Sequence, residues 1–212
     1  MRLRFDPFQV FRSSKTPVGL YARKKWLGEG NTWSWQEDFQ ATVAALLAGQ
    51  AEAGSWGHSN VATIQRLFGL HLTVRSRDEP INKALEWLMG QACTVLSPRR
   101  AGTKERFGPQ ALKGLPFTPG CSSPLITGAT LFLASILGRE NDKRILSSYE
   151  RLGLEGIKRG GRWCGWSCSN NILRAFVVHP QYSRHEATAL AVEALARVQD
   201  SSGGWLGQVS AH

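Results

Sequence analysis

Four side chains of metal-ligating type stand just ahead of, or just inside, segments of helical pattern: His58, Cys121, Cys164 and Cys168. Three thiolates and one imidazole form a valid structural zinc set, and a catalytic zinc would keep one coordination position open. Packing is the expected role of these residues, because a free Cys serves as a small buried hydrophobe, and a Cys/His zinc centre is its rival. A second grouping, Cys164 and Cys168 with His179 and His185, approaches the spacing of a zinc finger. Its interval is short, and Pro180 interrupts it. Close to these residues lie Trp166, Asn60, Asn170 and Asn171, an aromatic wall with amides. That mixture suits an isoprenoid tail with a polar head, or a sugar ring stacked on indole. Asn is also favoured at helix starts, so the amides have a structural use as well.

The elements that must position these groups are helical. The chain has 212 residues, 42% of them hydrophobic, enough for one sizeable core or a short repeat array. In "SWQEDFQATVAALLAGQ", Ser34 and Glu37 are spaced as a capping box, and Phe39, Val43, Leu46 and Leu47 share a helical face. A Gly-containing loop with Trp56 follows, and then Ser59 can cap a helix striped by Val61, Ile64, Phe68 and Leu72. The last unit repeats the opening half: Ser183 and Glu186 form a capping box ahead of Ala187, Leu190, Ala191 and Leu195. The first helix of each pair has one apolar stripe and one charged face, shown by Lys83, Glu86 and Arg197. The second is apolar nearly all round, most plainly from Leu125 to Leu137. Two concentric helical layers are expected, with the inner helices opening at one mouth.

Charge and targeting signals narrow the class. The formal net charge is +10, carried by small groups such as "ARKKW" at 22–26 and the basic loop at 98–113, without a long basic run. Such a surface solubilises, and it can also meet anionic lipid or a phosphorylated substrate. Nucleic acid is not the expected partner, because the basic loop lacks interleaved aromatics beyond Phe107. The start of the chain does not read as a secretory signal, and the longest apolar run, about 13 residues, falls short of the roughly 20 that span a membrane. A cytoplasmic protein with reduced cysteines and at most peripheral membrane contact is expected.

The spacing Gln, three residues, Gly, one residue, Trp occurs at Gln50/Gly54/Trp56 and again at Gln199/Gly203/Trp205, while "GGRW" ending at Trp163 keeps only the Gly and Trp half. These residues resemble the QW-type repeats of terpenoid cyclases and protein prenyltransferase-like domains. The resemblance covers roughly residues 36–207. It implies an α/α toroid in which Gln serves a helix end and Trp packs over it. The expected architecture is thus all-α: residues 1–33 form an extension with a short helix, and 34–212 form the toroid domain. The last Trp loop is followed by no inner helix, so an incomplete arc of about three to four hairpins is expected.

For function the resemblance implies binding of an apolar, prenyl-like ligand, and transferase or cyclase chemistry if the chain is an enzyme. The family's acidic motifs are missing, since Asp6, Asp38, Asp78, Asp142 and Asp200 are each isolated. Two alternatives stand beside this reading. One is an interaction scaffold that closes its arc against a partner or a second copy. The other is a metal-dependent enzyme using the zinc site.

Overall fold

The computed structural model describes residues 6, 8–92 and 123–201. Among them it contains nine α-helices and no strand: α1 Gln9–Arg12, α2 Pro17–Trp26, α3 Trp33–Leu47, α4 Asn60–Thr73, α5 Glu79–Ala92, α6 Ser123–Ile136, α7 Lys143–Lys158, α8 Trp166–Val178 and α9 Glu186–Arg197. The all-α expectation holds. No helix among these residues is long and apolar enough to cross a membrane. The basic loop at 98–113, Cys121, Gly203 and Trp205 lie outside the described residues.

The chain divides into two compact units, the first running through Trp87 and the second taking up from Leu88, with the division falling inside α5. In the first unit, Thr16 caps α2 by accepting from the Gly19 amide, and Pro17 occupies the first helical turn, where its missing N–H costs nothing. The leading helix is built into this unit. The Trp35 indole N–H donates to the Leu20 carbonyl at 3.0 Å, and the Thr42 hydroxyl donates to the Lys15 carbonyl at 2.8 Å. Arg23, 3% exposed, is held by Glu29 at 2.7 Å, Asp38 at 2.8 Å and the Ser14 carbonyl.

Hydrogen bonds from Arg23 and then Lys15 hold the Asp38 carboxyl below its ordinary pKa of 3.8. A depressed carboxylate contributes stability that is complete above the ordinary value and is lost as pH falls through the folded one. Acid titrations should therefore show wild type losing stability below about pH 4 more steeply than Asp38→Asn. Parallel acid curves for the two proteins would contradict this role.

In the second unit, α7 buries Ile145, Ser148, Tyr149, Leu152, Gly153 and Gly156, an i, i+3, i+4 stripe. Helix α6 is covered on nearly every side, with Leu125 to Leu131 buried without interruption, as its all-round apolar sequence predicts. It packs closely on α8: a Cβ added at Gly128 would lie 2.9 Å from the Ile172 amide nitrogen. Tyr149 anchors the core, its hydroxyl 2.8 Å from the Ser135 hydroxyl and donating to the Ala175 carbonyl at 2.9 Å. Its ring stacks on Tyr182 and meets His179 edge-on.

Two helix starts differ from the sequence reading. Helix α3 is capped by Thr32, which accepts from the Trp35 amide, so Ser34 lies inside the first turn. Helix α9 is capped by His185, whose Nδ1 accepts from the Ala187 amide, while Ser183 sits in a preceding 3-10 turn and donates to the Pro180 carbonyl. A capping-box spacing names a hydroxyl and a carboxylate, but the first residue with extended backbone takes the cap. At α4 the expected cap is found, with Ser59 accepting from the Ala62 amide at 3.0 Å.

Candidate functional site

Two Trp loops lie among the described residues, one in each unit, and both are structural clamps. In the first unit Trp56, 3% exposed, donates its indole N–H to the Ala48 carbonyl at the end of α3, and its own amide donates to the Thr63 hydroxyl on α4. Gln50 donates to the Gly54 carbonyl at 2.9 Å and to the Pro80 carbonyl in α5 at 2.8 Å. In the second unit Trp163, 1% exposed, donates its indole N–H to the Leu152 carbonyl of α7, and its amide donates to the Ser169 hydroxyl on α8. The two clamps have the same plan. No Gln stands six residues before Trp163; Arg159 donates to the Trp163 carbonyl in that loop instead. "GGRW" therefore makes the same two kinds of tryptophan hydrogen bond without the Gln. Gln199 lies in the described part of the chain, but its Gly203 and Trp205 do not.

A cavity of about 270 Å³ opens in the first unit between α2, α3 and the end of α4. Its wall is aromatic and aliphatic: Tyr21, Trp35, Phe39, Leu20 and Leu72. Trp35 and Phe39, one helical turn apart, stack with ring centroids 4.9 Å apart, a pairing that fixes the wall. Its rim is cationic, formed by Lys24, Lys25 and Arg75. Lys24 Nζ lies 5.6 Å from the Trp35 ring centroid, and the Arg75 guanidinium lies 5.1 Å from that of Tyr21, both within cation–π range. Among the described residues no carboxylate pairs with any of these three cations.

Arg75 is held in an unusual backbone state. It follows the α4 C-cap with φ +52, the left-handed position where helices favour glycine, and its amide donates to the Leu70 carbonyl. Side chains pay roughly 1 kcal/mol to adopt that conformation. Beside it, burial and then the Arg75 charge lower the pKa of His71, keeping a further cation from forming at this helix end.

The residues named from the sequence are distributed differently. His58 is an exposed turn residue of the first unit with φ +54, next to the Ser59 cap. Cys164 and Cys168 belong to the second unit and are joined as a disulfide across the start of α8, with Cα atoms 5.9 Å apart. The expectation of reduced thiols is corrected here: one helical turn brings the two sulfurs together, and sulfurs paired in this way are not thiolate ligands. Among the described residues no group of three or more His, Cys, Asp or Glu is placed to hold a metal. His179 is buried; its Nδ1 accepts from the Gln181 and Tyr182 amides, so Nε2 carries the hydrogen toward the Glu140 carbonyl. With His185 serving as a cap, the finger-like spacing is a packing pattern.

None of the four candidate ligand residues lines the 270 Å³ cavity. Asn60 is the first residue of α4, while Trp166, Asn170 and Asn171 lie in the first two turns of α8. Asn170 borders a crevice of about 20 Å³, room for about one water. Asn171 is 1% exposed, and among the described residues neither polar atom of its amide has a hydrogen-bond partner, an arrangement that costs about 1–3 kcal/mol.

No family model, no curated protein and no solved structure matches the chain. What the chain binds must accordingly be argued from its own geometry. Of the first-unit cavity the sequence carries only a partial signal, "LYARKKW", where Tyr21 and Lys24 are spaced to share a helical face. Composition alone reads that stretch as a solubilising patch.

Proposed function

We propose that the protein is a helical-hairpin scaffold of the toroid type that binds an apolar, isoprenoid-type ligand with an anionic head in the cavity of its first unit. The observation that carries this reading is the pairing of an aromatic wall with three rim cations that have no carboxylate partner among the described residues. Tyr21, Trp35, Phe39 and Leu72 offer the tail a dry surface. Lys24, Lys25 and Arg75 offer the head charge-assisted hydrogen bonds, about twice as strong as neutral ones. At about 270 Å³ the cavity lies just below the usual range for small-molecule sites, roughly 300–1,000 Å³, which favours a short tail. The strained backbone at Arg75 supports the same reading, because strain at a side chain aimed into a cavity is a common mark of function. The scaffold half of the proposal is supported by the two matching Gly-x-Trp clamps.

The test uses tryptophan emission of the full chain, since Trp35 forms part of the wall. A short prenyl diphosphate should change the emission saturably, and the corresponding uncharged alcohol should bind at least about a hundredfold more weakly, because it offers the three rim cations no anionic head. Arg75→Gly is the diagnostic variant. It should keep or slightly raise thermal stability, because glycine accepts the left-handed backbone, while weakening the diphosphate about tenfold. Unchanged affinity in Arg75→Gly and Lys24→Ala would overturn the assignment of the rim.

A further inference from the structure

The disulfide of the second unit lies where chemistry is accessible. Cys164 is exposed in the loop ahead of α8, whereas Cys168 is 6% exposed in the first turn of that helix. An incoming thiolate can therefore reach only one of the two sulfurs. The bond closes a ring of only a few residues, and the stability a disulfide gains from loop closure grows with loop length. This pair gains little from that source and is correspondingly easy to open.

The helix start favours the open form. Helices α2, α3, α4, α7 and α9 each begin with a side-chain cap, but α8 begins at Gly165 with no side-chain cap. Cys168 stands three residues after Gly165, where the positive end of the helix dipole stabilises a thiolate and makes it a good leaving group. Lys158, Arg159 and Arg162 precede Cys164 within six residues and are exposed, with Arg159 paired to Glu155 at 3.3 Å, so the segment leading to the accessible sulfur is rich in basic residues.

We propose that Cys164 and Cys168 form a reversible thiol–disulfide site in which Cys164 exchanges with a small anionic thiol of the glutathione class. The first thiolate attacks Sγ of Cys164; a new S–S bond forms there, the Cys164–Cys168 bond breaks, and its electron pair leaves on Cys168 as the thiolate. A second glutathione thiolate then attacks the glutathione sulfur of the mixed disulfide and releases the Cys164 thiolate. Two glutathiones are oxidised to one glutathione disulfide, and the pair takes up two electrons and two protons. The Trp163 clamp does not depend on this bond, because its partners are Leu152 and Ser169. Exchange changes the α8 entry without dismantling the unit.

The experiment uses the full chain with Cys93 and Cys121 replaced by serine. In Cys168→Ser, oxidised glutathione should add one adduct per chain, mapped by peptide mass spectrometry to Cys164. In Cys164→Ser the adduct on Cys168 should form at least about tenfold more slowly, reflecting its burial. Cys168→Ala repeats the first measurement with a smaller change to the buried position. In the chain that keeps both cysteines, a glutathione redox buffer should interconvert dithiol and disulfide, read by differential alkylation, with far-UV circular dichroism unchanged. Equal adduct rates at the two positions would overturn the proposal. So would a folded protein whose pair neither forms in oxidised glutathione nor opens in reduced glutathione.

Discussion

Gly161→Ala is expected to cost about 3 kcal/mol or more of folding stability, while Gly160→Ala, one residue earlier, costs only about 1–2 kcal/mol. Both glycines have left-handed backbone, with φ +82 and +61, so both substitutions pay the conformational penalty. Only Gly161 is also pressed against another helix. A Cβ there would lie 2.3 Å from the Ala191 amide nitrogen of α9, whereas at Gly160 none of the described residues comes within 4 Å. A contact with backbone cannot be relieved by rotating a side chain, so α9 has to move. The same pair of effects is expected in the first unit. A Cβ at Gly54, φ +96, would lie 2.4 Å from the Lys83 carbonyl oxygen of α5, and one at Gly57, φ +60, would meet none of the described residues within 4 Å. Denaturant midpoints for the four alanine variants would check this. Four equal losses would mean that the clamps do not seat Gly161 on α9 and Gly54 on α5.

Removing the buried cation of the first unit is the other large effect. Arg23→Met should destabilise by about 3 kcal/mol, because the loss of one partner strands charges that burial has partly desolvated. The guanidinium serves Glu29 through Nε and Asp38 and the Ser14 carbonyl through Nη1, tying α2 to the start of α3 and to the segment ahead of α2. Asp38 keeps Lys15 at 2.9 Å and both carboxylates retain some solvent, which places the loss at the low end for a buried pair. Arg23→Lys should recover only part of it, since an ammonium lacks the planar fork that reaches two carboxylates at once. Combining Arg23→Met with Glu29→Gln and Asp38→Asn should cost clearly less than the sum of the separate changes. Strict additivity in urea denaturation would show that the three groups do not act as one network.

The legible part of the fold was the part written in periodicity. The stripe of α7, the all-round burial of α6 and the Ser59 cap follow from residues three and four apart, because helical geometry alone brings those side chains to one face. The Gln-Gly-Trp spacing likewise pointed to a brace, and Gln50 with Trp56 is one. What periodicity could not show was that "GGRW" is an equal clamp. Its equivalence lies in three-dimensional contacts: an indole on a carbonyl of the preceding helix or its cap, an amide on a hydroxyl of the next helix, and a glycine against a third. The Arg159 contact that accompanies them has no counterpart in the Gln-Gly-Trp spacing.

The candidate site was less legible, for a physical reason. The Cys and His residues share only their place near helix starts, a one-dimensional property. The cavity depends instead on a lysine in α2, a stacked pair in α3 and an arginine past the end of α4, brought together only by packing. By itself the sequence determined the helical class, most helix positions and the two glycine-tryptophan loops, since these follow from local geometry and burial. Tertiary structure alone decided which cations face which rings and which glycines carry a neighbouring helix. It also decided which two cysteines meet, because each of these is a distance between side chains that chain order does not encode.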